Sequence, residues 1–480
     1  MVRRQGQEAR EACVENRRIS LQASPASRIW TLIAASLVAV PAILFYAILF
    51  RESLNLPLDD DYGAFLNFLN QLVQLKSVPA KISYFLASQH AEYKLFFIHG
   101  LAWLQFDLCG HIDFKLLCAI GNGFVLLLAI LLWKMFLPNH KDLASRLAFF
   151  VPVSWLLFQL QYYETLDWAM GALQNISVLV FSLGTIYLLV RTARWAYCCA
   201  VLSFVLAVAS SGNGFLMIPV GVLILLAERR YARIASWLAV SAGCVAAYAY
   251  HYDVMSSQSS VHESVFATLL RPRPLFVVAF MGNAAGFPYR NGCLVLGFAL
   301  CLFFVFLALR GYIRKNPAVF YCVLFLLLTA VGVAGLRSDL GLAASLAPRY
   351  TIYSALLMIF AWFGFVEEFL QHWHPSVLGK GVLLGAVTAA ILFSLSMDRM
   401  GMYRIETRNR LLIQAITAFE HSISPEPTIG LVLLPLPWQN RAQEISDLRN
   451  ALDLRARAIL TQSIQLGVYR PPSYSSADTR

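Results

Sequence analysis

Charge is what this 480-residue chain has least of. Asp, Glu, Lys and Arg make up 14% of it, against about 25% in an ordinary soluble protein, while 59% is hydrophobic. That shortage excludes a soluble globular protein and points to a chain built for the bilayer. Metal-type cysteine spacing is missing too. Of nine cysteines, Cys198, Cys199, Cys244, Cys301 and Cys322 lie inside apolar runs, and none of the nine sets up a ligand spacing or a disulfide framework. They read as small core residues. No internal repeat is present, which speaks against an inverted-repeat transporter. Acidic residues are also in short supply, leaving a formal charge of +11. The excess Lys and Arg are spread over loops between apolar runs, where they set topology, so no nucleic-acid partner is expected.

What is present is length in apolar runs. A crossing needs about 20 such residues. Eleven stretches qualify or come close: 29–50, 115–136, 146–161, 172–190, 195–210, 214–228, 234–250, 291–309, 317–335, 351–366 and 380–396. The expected fold is therefore an α-helical polytopic membrane protein of about eleven transmembrane helices. It has a polar arm at 1–28, a membrane domain at 29–396 and a small outer domain at 397–480. The arm is too long, and its arginines too spread, for a secretory leader, so the first span reads as a retained anchor. With the N-terminus inside, the inner segments collect Arg3, Arg4, Arg10, Arg17, Arg18, Arg28, Lys134, Lys141, Arg146, Arg191 and Arg194. Arg229, Arg230, Arg233, Arg310, Arg314, Lys315 and Lys380 join them, while the short loops at 162–171 and 211–213 hold no Lys or Arg. The positive-inside rule then places the N-terminus in the cytoplasm and the C-terminus in the periplasm of a bacterial inner membrane.

Two apolar stretches, 93–108 and 274–287, remain. Counting either as a crossing would move the basic loops outside, so both are expected as interfacial or re-entrant helices. The segment 64–75 has an apolar face at helical spacing and joins them in a long first outer loop, 51–114. Past the last span come amphipathic runs at 403–420 and 440–466, an apolar run at 429–437 suited to a buried strand, and a Pro- and Ser-rich end.

The outer edge gathers polar residues that packing in lipid does not require. The first loop supplies Asp59, Asp60, Asp61, His90, Glu92 and Lys94. The loop after the third span adds Glu164, Asp167 and Gln174, a short turn adds Asn213, and the loop before the tenth span adds Arg337, Asp339, Arg349 and Tyr350. Arg337 and Arg349 stand where the topology rule disfavours cations. A guanidinium there matches a phosphate in bidentate fashion and keeps its charge when partly desolvated. A carboxylate beside it can take the proton of an acceptor hydroxyl. Plainer roles compete with these: a solvated helix cap for the aspartates, snorkelling or pairing with Asp339 for the arginines, and an interfacial aromatic belt for Tyr162, Tyr163 and Trp168. Arg271, Arg273 and Arg290 also fall on the outer side, in irregular surroundings.

A first span, acidic residues early in a long outer loop with interfacial helices, many further spans and an outer tail together resemble the GT-C class of integral membrane glycosyltransferases. The segments SQHAEYKLFF (88–97), QLQYYETLDWAMGALQ (159–174), SSGNG (210–214) and GLRSDLGLAASLAPRY (335–350) resemble recurring segments of bacterial polytopic proteins with this layout. The resemblance implies transfer of a sugar from a polyprenyl-phosphate donor to a glycan or lipid acceptor at the periplasmic face. It places the catalytic carboxylate among Asp59, Asp60 and Asp61. His90, Glu92, Glu164, Gln174, Asn213, Arg337, Arg349 and Tyr350 are the expected substrate-binding set. No organic cofactor is required, and the aspartates leave room for a divalent cation. The stretch His90-Ala91-Glu92-Tyr93-Lys94 departs from a more polar His-Asn-Glu-His-Arg form, which leaves Lys94 without an assigned role. The rival readings are a transporter or flippase for a lipid-linked glycan, and a non-catalytic scaffold of an envelope-polysaccharide complex.

Overall fold

A computed structural model describes residues 25–137, 142–253, 274–286, 290–370, 376–420 and 442–472. Among these residues the chain is 84% helical with no strands. Eight helices are long and apolar enough to cross a bilayer. Together these define an α-helical membrane protein. The elements that matter for the site begin with α1 (Pro25–Glu52), followed by a π-helix at Tyr62–Asn67 that continues as α2 (Phe68–Gln74). Then come α3 (Val78–Ala87), α4 (Phe96–Cys109), α5 (Phe114–Met135), α6 (Leu143–Leu157) and α7 (Ala169–Leu189). They are followed by α8 (Arg194–Ser210), α9 (Met217–Ala227), α10 (Tyr231–Ala249), α11 (Pro274–Met281) and α12 (Arg290–Leu309). The last are α13 (Tyr312–Lys315), α14 (Pro317–Arg337), α15 (Thr351–Phe365), α16 (Val377–Glu420) and α17 (Ala442–Gln465).

Each of the eleven expected stretches lies on a helix. Eight coincide with the long ones, while α6, α8 and the helix through Gly212–Ala227 are shorter apolar helices of 10–17 residues. The interfacial expectations also meet helices: 64–75 the π-helix and α2, 93–108 α4, and the described part of 274–287 the eight-residue α11.

Local chemistry explains several boundaries. Asp113, Asp142 and Asn316 accept hydrogen bonds from the N–H groups of Leu116, Ser145 and Val319, which caps α5, α6 and α14. Gly110 ends α4 in the left-handed region, at φ 73°. Pro41 cannot donate to the Leu37 carbonyl one turn earlier in α1. Trp155 Nε1 donates to that freed oxygen at 2.9 Å, and Ser154 Oγ to the next one, Val38 O, at 2.6 Å. A proline in a spanning helix is thus satisfied by its neighbour.

Two large apolar cores result. One runs through the bundle and includes Phe149, Leu179, Trp237, Phe325 and Phe360. The other lies at one end and joins the first-loop helices (Phe65, Leu69, Ile98) to Leu117 of α5, Leu412 and Ile416 of α16 and Leu460 of α17. Polar ties close this end: Asn409 Nδ2 donates to Glu52 O at 2.7 Å, Asn70 Nδ2 to Ile459 O at 3.2 Å, and Ile112 N–H to Val468 O at 2.8 Å. The first loop and the C-terminal helices therefore share one end of the bundle. The last expected span and the amphipathic run at 403–420 are a single helix. At 44 residues, α16 is roughly 66 Å long, about twice the hydrocarbon thickness. The position expected to begin a tail domain, 397, lies inside it. The expected strand at 429–437, Arg271, Arg273 and most of the N-terminal arm lie outside the described residues.

Candidate functional site

The three aspartates, adjacent in sequence, have three different environments. Asp61 is fully buried. One carboxylate oxygen accepts from Leu58 N–H at 3.0 Å and the other from Met170 N–H at 2.9 Å. It thereby staples the first loop to the start of α7, across 109 residues of sequence. Its side chain makes no capping bond to its own helix. Burial pushes its carboxyl well above the ordinary range, and the two N–H bonds oppose that rise.

Asp59 and Asp60 keep partial access to solvent. Asp59 stands at φ 50°, a left-handed conformation uncommon for a side-chain-bearing residue. Burial first, and then the adjacent Asp60 charge, push its carboxyl up to about 7; Glu164 adds to the rise, while Arg349 and His90 oppose it. For Asp60 burial works in the same upward sense, but the hydrogen bond to His90 and the charges of His90, Arg349 and Arg337 outweigh it and hold the carboxyl below its ordinary range. Neighbouring carboxyls driven apart in this way are what acid–base chemistry near neutrality needs.

His90 and Glu92 sit on a tight hairpin. His90 and Tyr93 exchange two backbone hydrogen bonds of 2.9 Å, and Ala91 between them takes φ 47°. The turn sends the two side chains to different partners. His90 Nε2 lies 3.0 Å from Asp60 Oδ1, and Arg337 Nη2 donates to Glu92 Oε1 at 2.5 Å. They do not converge as a ligand pair, and among the described residues no three of His, Cys, Asp and Glu gather to hold a metal ion. Gly63 leaves room for the ring: a Cβ at that position would stand 2.4 Å from His90 Cε1, so the ring would have to move.

The arginines arrive from the ends of α14 and α15. Arg349 Nη1 is 3.7 Å from Glu164 Oε2, its backbone N–H donates to the same oxygen at 3.4 Å, and its guanidinium lies over Tyr350. Both guanidinium side chains remain about one-third exposed, 35% for Arg337 and 34% for Arg349. Arg337 thus pairs with Glu92 and Arg349 with Glu164. Asn213 Nδ2 donates to Tyr353 Oη at 3.2 Å, and Tyr353 feels the electrostatic influence of Tyr350 and Tyr93. Asp59, Asp60, His90, Glu92, Glu164, Arg337, Arg349, Tyr350 and Asn213 thus form one neighbourhood. Gln174 is buried in α7 one turn beyond Met170, and none of the hydrogen bonds or ion pairs found among the described residues ties it there.

Two residues have roles the sequence did not reveal. Lys94 is fully buried, and its ammonium donates to Leu86 O at 2.9 Å, Ala87 O at 3.1 Å and Tyr250 O. It locks the His90 hairpin between the end of α3 and the end of α10, which is why a lysine serves inside an apolar stretch. Arg408, from the polar half of α16, pairs with Asp167 (Nε to Oδ2 3.1 Å) and donates to Tyr163 O at 2.9 Å, with both partners of the ion pair 5% exposed. Tyr162, Tyr163 and Trp168 are buried at 0%, 7% and 6% exposure. They pack inside the protein, against the alternative of an interfacial belt. The signal for Arg408 was its spacing within α16, and for Lys94 only its apolar surroundings.

In comparisons with protein-family models, curated proteins and solved structures, nothing matches this chain.

Proposed function

We propose that the chain is a GT-C-like glycosyltransferase that moves a sugar from a polyprenyl-phosphate donor to an acceptor at the periplasmic face of a bacterial inner membrane. The observation that carries this reading is the meeting of Asp59 and Asp60 from the first loop with Arg337 and Arg349 from the last spans. In the proposed reaction Asp59 takes the acceptor hydroxyl proton as that oxygen attacks the anomeric carbon. The bond from that carbon to the phosphate oxygen breaks, and the leaving phosphate carries the negative charge. Asp60 and His90 hold each other in place beside the base. Arg337 and Arg349 hold the phosphate through their exposed donors, a charge-assisted contact that strengthens as the leaving oxygen gains charge. Asn213, Tyr350 and Glu164 face sugar or acceptor, and Asp61 acts as a structural staple.

The topology fits. Because the first loop and the C-terminal helices share one end, the chain crosses an even number of times between them. Adding α1 gives an odd total, the parity expected from the sequence. Buried ionisable side chains also favour surface chemistry over passage along a charged path: Asp61, Lys94, Asp167 and Arg408 lie at the site end, while Glu367 lies at the other, held by Tyr312 and Asn316.

The test is binding of undecaprenyl phosphate to the full chain in nanodiscs. Arg337→Lys and Arg349→Lys keep the charge but lose the planar fork, so affinity should fall in both, and further in the Ala variants. Snorkelling arginines would tolerate Lys. Unchanged affinity in both Ala variants removes the phosphate role.

A further inference from the structure

From the end of its apolar stretch onward, α16 carries a stripe at alternating spacings of four and three: Ser394, Asp398, Gly401, Ile405, Arg408 and Leu412. That spacing keeps one helix face in line. Every member but the last meets the loop that carries Glu164, or supports one that does. Asp398 Oδ1 accepts from Leu160 N–H at 2.7 Å, and Ser394 Oγ donates to its other oxygen at 3.3 Å. Gly401 permits direct backbone contact, since a Cβ there would sit 2.2 Å from Leu160 O. Ile405 lines a small cavity with Leu160, Leu166 and Asp167. Arg408 binds Asp167 and the Tyr163 carbonyl, on either side of Glu164, and its guanidinium lies 5.2 Å from the Tyr163 ring centroid. Leu412 ends the stripe in the apolar core beneath the aspartate loop.

From this register we infer that the C-terminal half of α16 is a positioning element: Gly401 and Arg408 set where Glu164, and through it Arg349, stands against Asp59. A structural brace alone would need packing and charge balance. The observed contacts do more, since they fix backbone atoms at Leu160 and Tyr163. This inference rests on the phosphate-site reading for its ligand, though not for its loop geometry. Asp59 is faced by Asp60, Glu164, Arg349 and His90, so a displaced Glu164 and Arg349 alter the site without any change to a residue that touches substrate.

The test uses the full chain in nanodiscs with three readouts: thermal unfolding, hydrogen exchange at Thr165 and Leu166, and affinity for undecaprenyl phosphate. Arg408→Met leaves Asp167 buried without its partner and lowers thermal stability. Adding Asp167→Leu removes the stranded charge and brings the unfolding temperature back, because a buried ion pair replaced by apolar groups is often neutral. The Tyr163 tether stays broken in this double variant. Exchange at Leu166, whose N–H bonds Tyr163 O at 3.1 Å, is expected to rise about tenfold. Undecaprenyl phosphate should bind about tenfold to 10²-fold more weakly, the scale on which small misplacements act. Gly401→Ala changes no charge and should give the same pair of effects by pushing Leu160 away. A double variant and a Gly401→Ala variant that both keep wild-type exchange and affinity would overturn the inference. If the wild type itself does not bind undecaprenyl phosphate, the phosphate reading fails, while faster exchange at Leu166 in both variants still establishes the tether.

Discussion

Replacing Asp61 by Asn separates a structural carboxylate from a chemical one. The substitution keeps the shape and turns one acceptor oxygen into an NH2 group. Both oxygens are engaged, by Leu58 N–H at 3.0 Å and Met170 N–H at 2.9 Å, and the residue is fully buried. Whichever way the amide turns, one backbone N–H then faces a donor. Leaving a buried backbone N–H against a donor in place of its acceptor costs about 1–3 kcal/mol. A loss of about 1–3 kcal/mol is a sizeable share of the roughly 5–15 kcal/mol that typically holds a protein folded. Asp59→Asn is the control. Asp59 is only half-buried and sits in the left-handed region that Asn tolerates well, so its unfolding temperature should stay near wild type. The assay is thermal unfolding of purified protein in detergent, with expression level as a second readout. Asp61→Asn unfolding at the wild-type temperature would refute the staple, and with it the division of roles among the three aspartates.

Three further outcomes follow from the site. Asp59 is raised to about 7 while Asp60 is lowered, so transfer activity should climb with pH as Asp59 loses its proton through about pH 7. Glu164 raises Asp59, so Glu164→Gln should move that midpoint to lower pH, and a midpoint that moves up or stays fixed contradicts the electrostatics. Gly63→Ala places a methyl group against the His90 ring, which should break the Asp60 contact and weaken transfer by about 10²-fold, with unfolding temperature as the control for misfolding. A periplasm-only reporter fused at Arg480 should be active; activity of a cytoplasm-only reporter there would reverse the assignment of faces.

How much of this was legible in the sequence follows from the range of the forces involved. The bilayer imposes a length and an apolar composition on each helix, so the spans could be read locally. The charge rule acts on short loops, so the end that gathers Asp59, Glu164, Arg337 and Arg349 could be read as well. Pairings could not be read. Asp61 meets Met170 and Arg408 meets Asp167 only because α7 and α16 pack where they do, and nothing local distinguishes Asp61 from Asp59. At 397 the chain turns polar, yet the helix continues to Glu420. Its four-and-three stripe was the sign that it remained packed.

The central claim is sugar transfer that depends on Asp59, and it is tested most directly on the product. Surface glycans are compared by mass spectrometry between a deletion strain and the same strain complemented with wild type, Asp59→Asn or Asp60→Asn, each confirmed as inserted at equal level. The expected result is a glycan mass difference of one sugar residue that wild type restores and Asp59→Asn does not. Full restoration by Asp59→Asn, or no glycan difference between the deletion strain and wild type, would contradict the account.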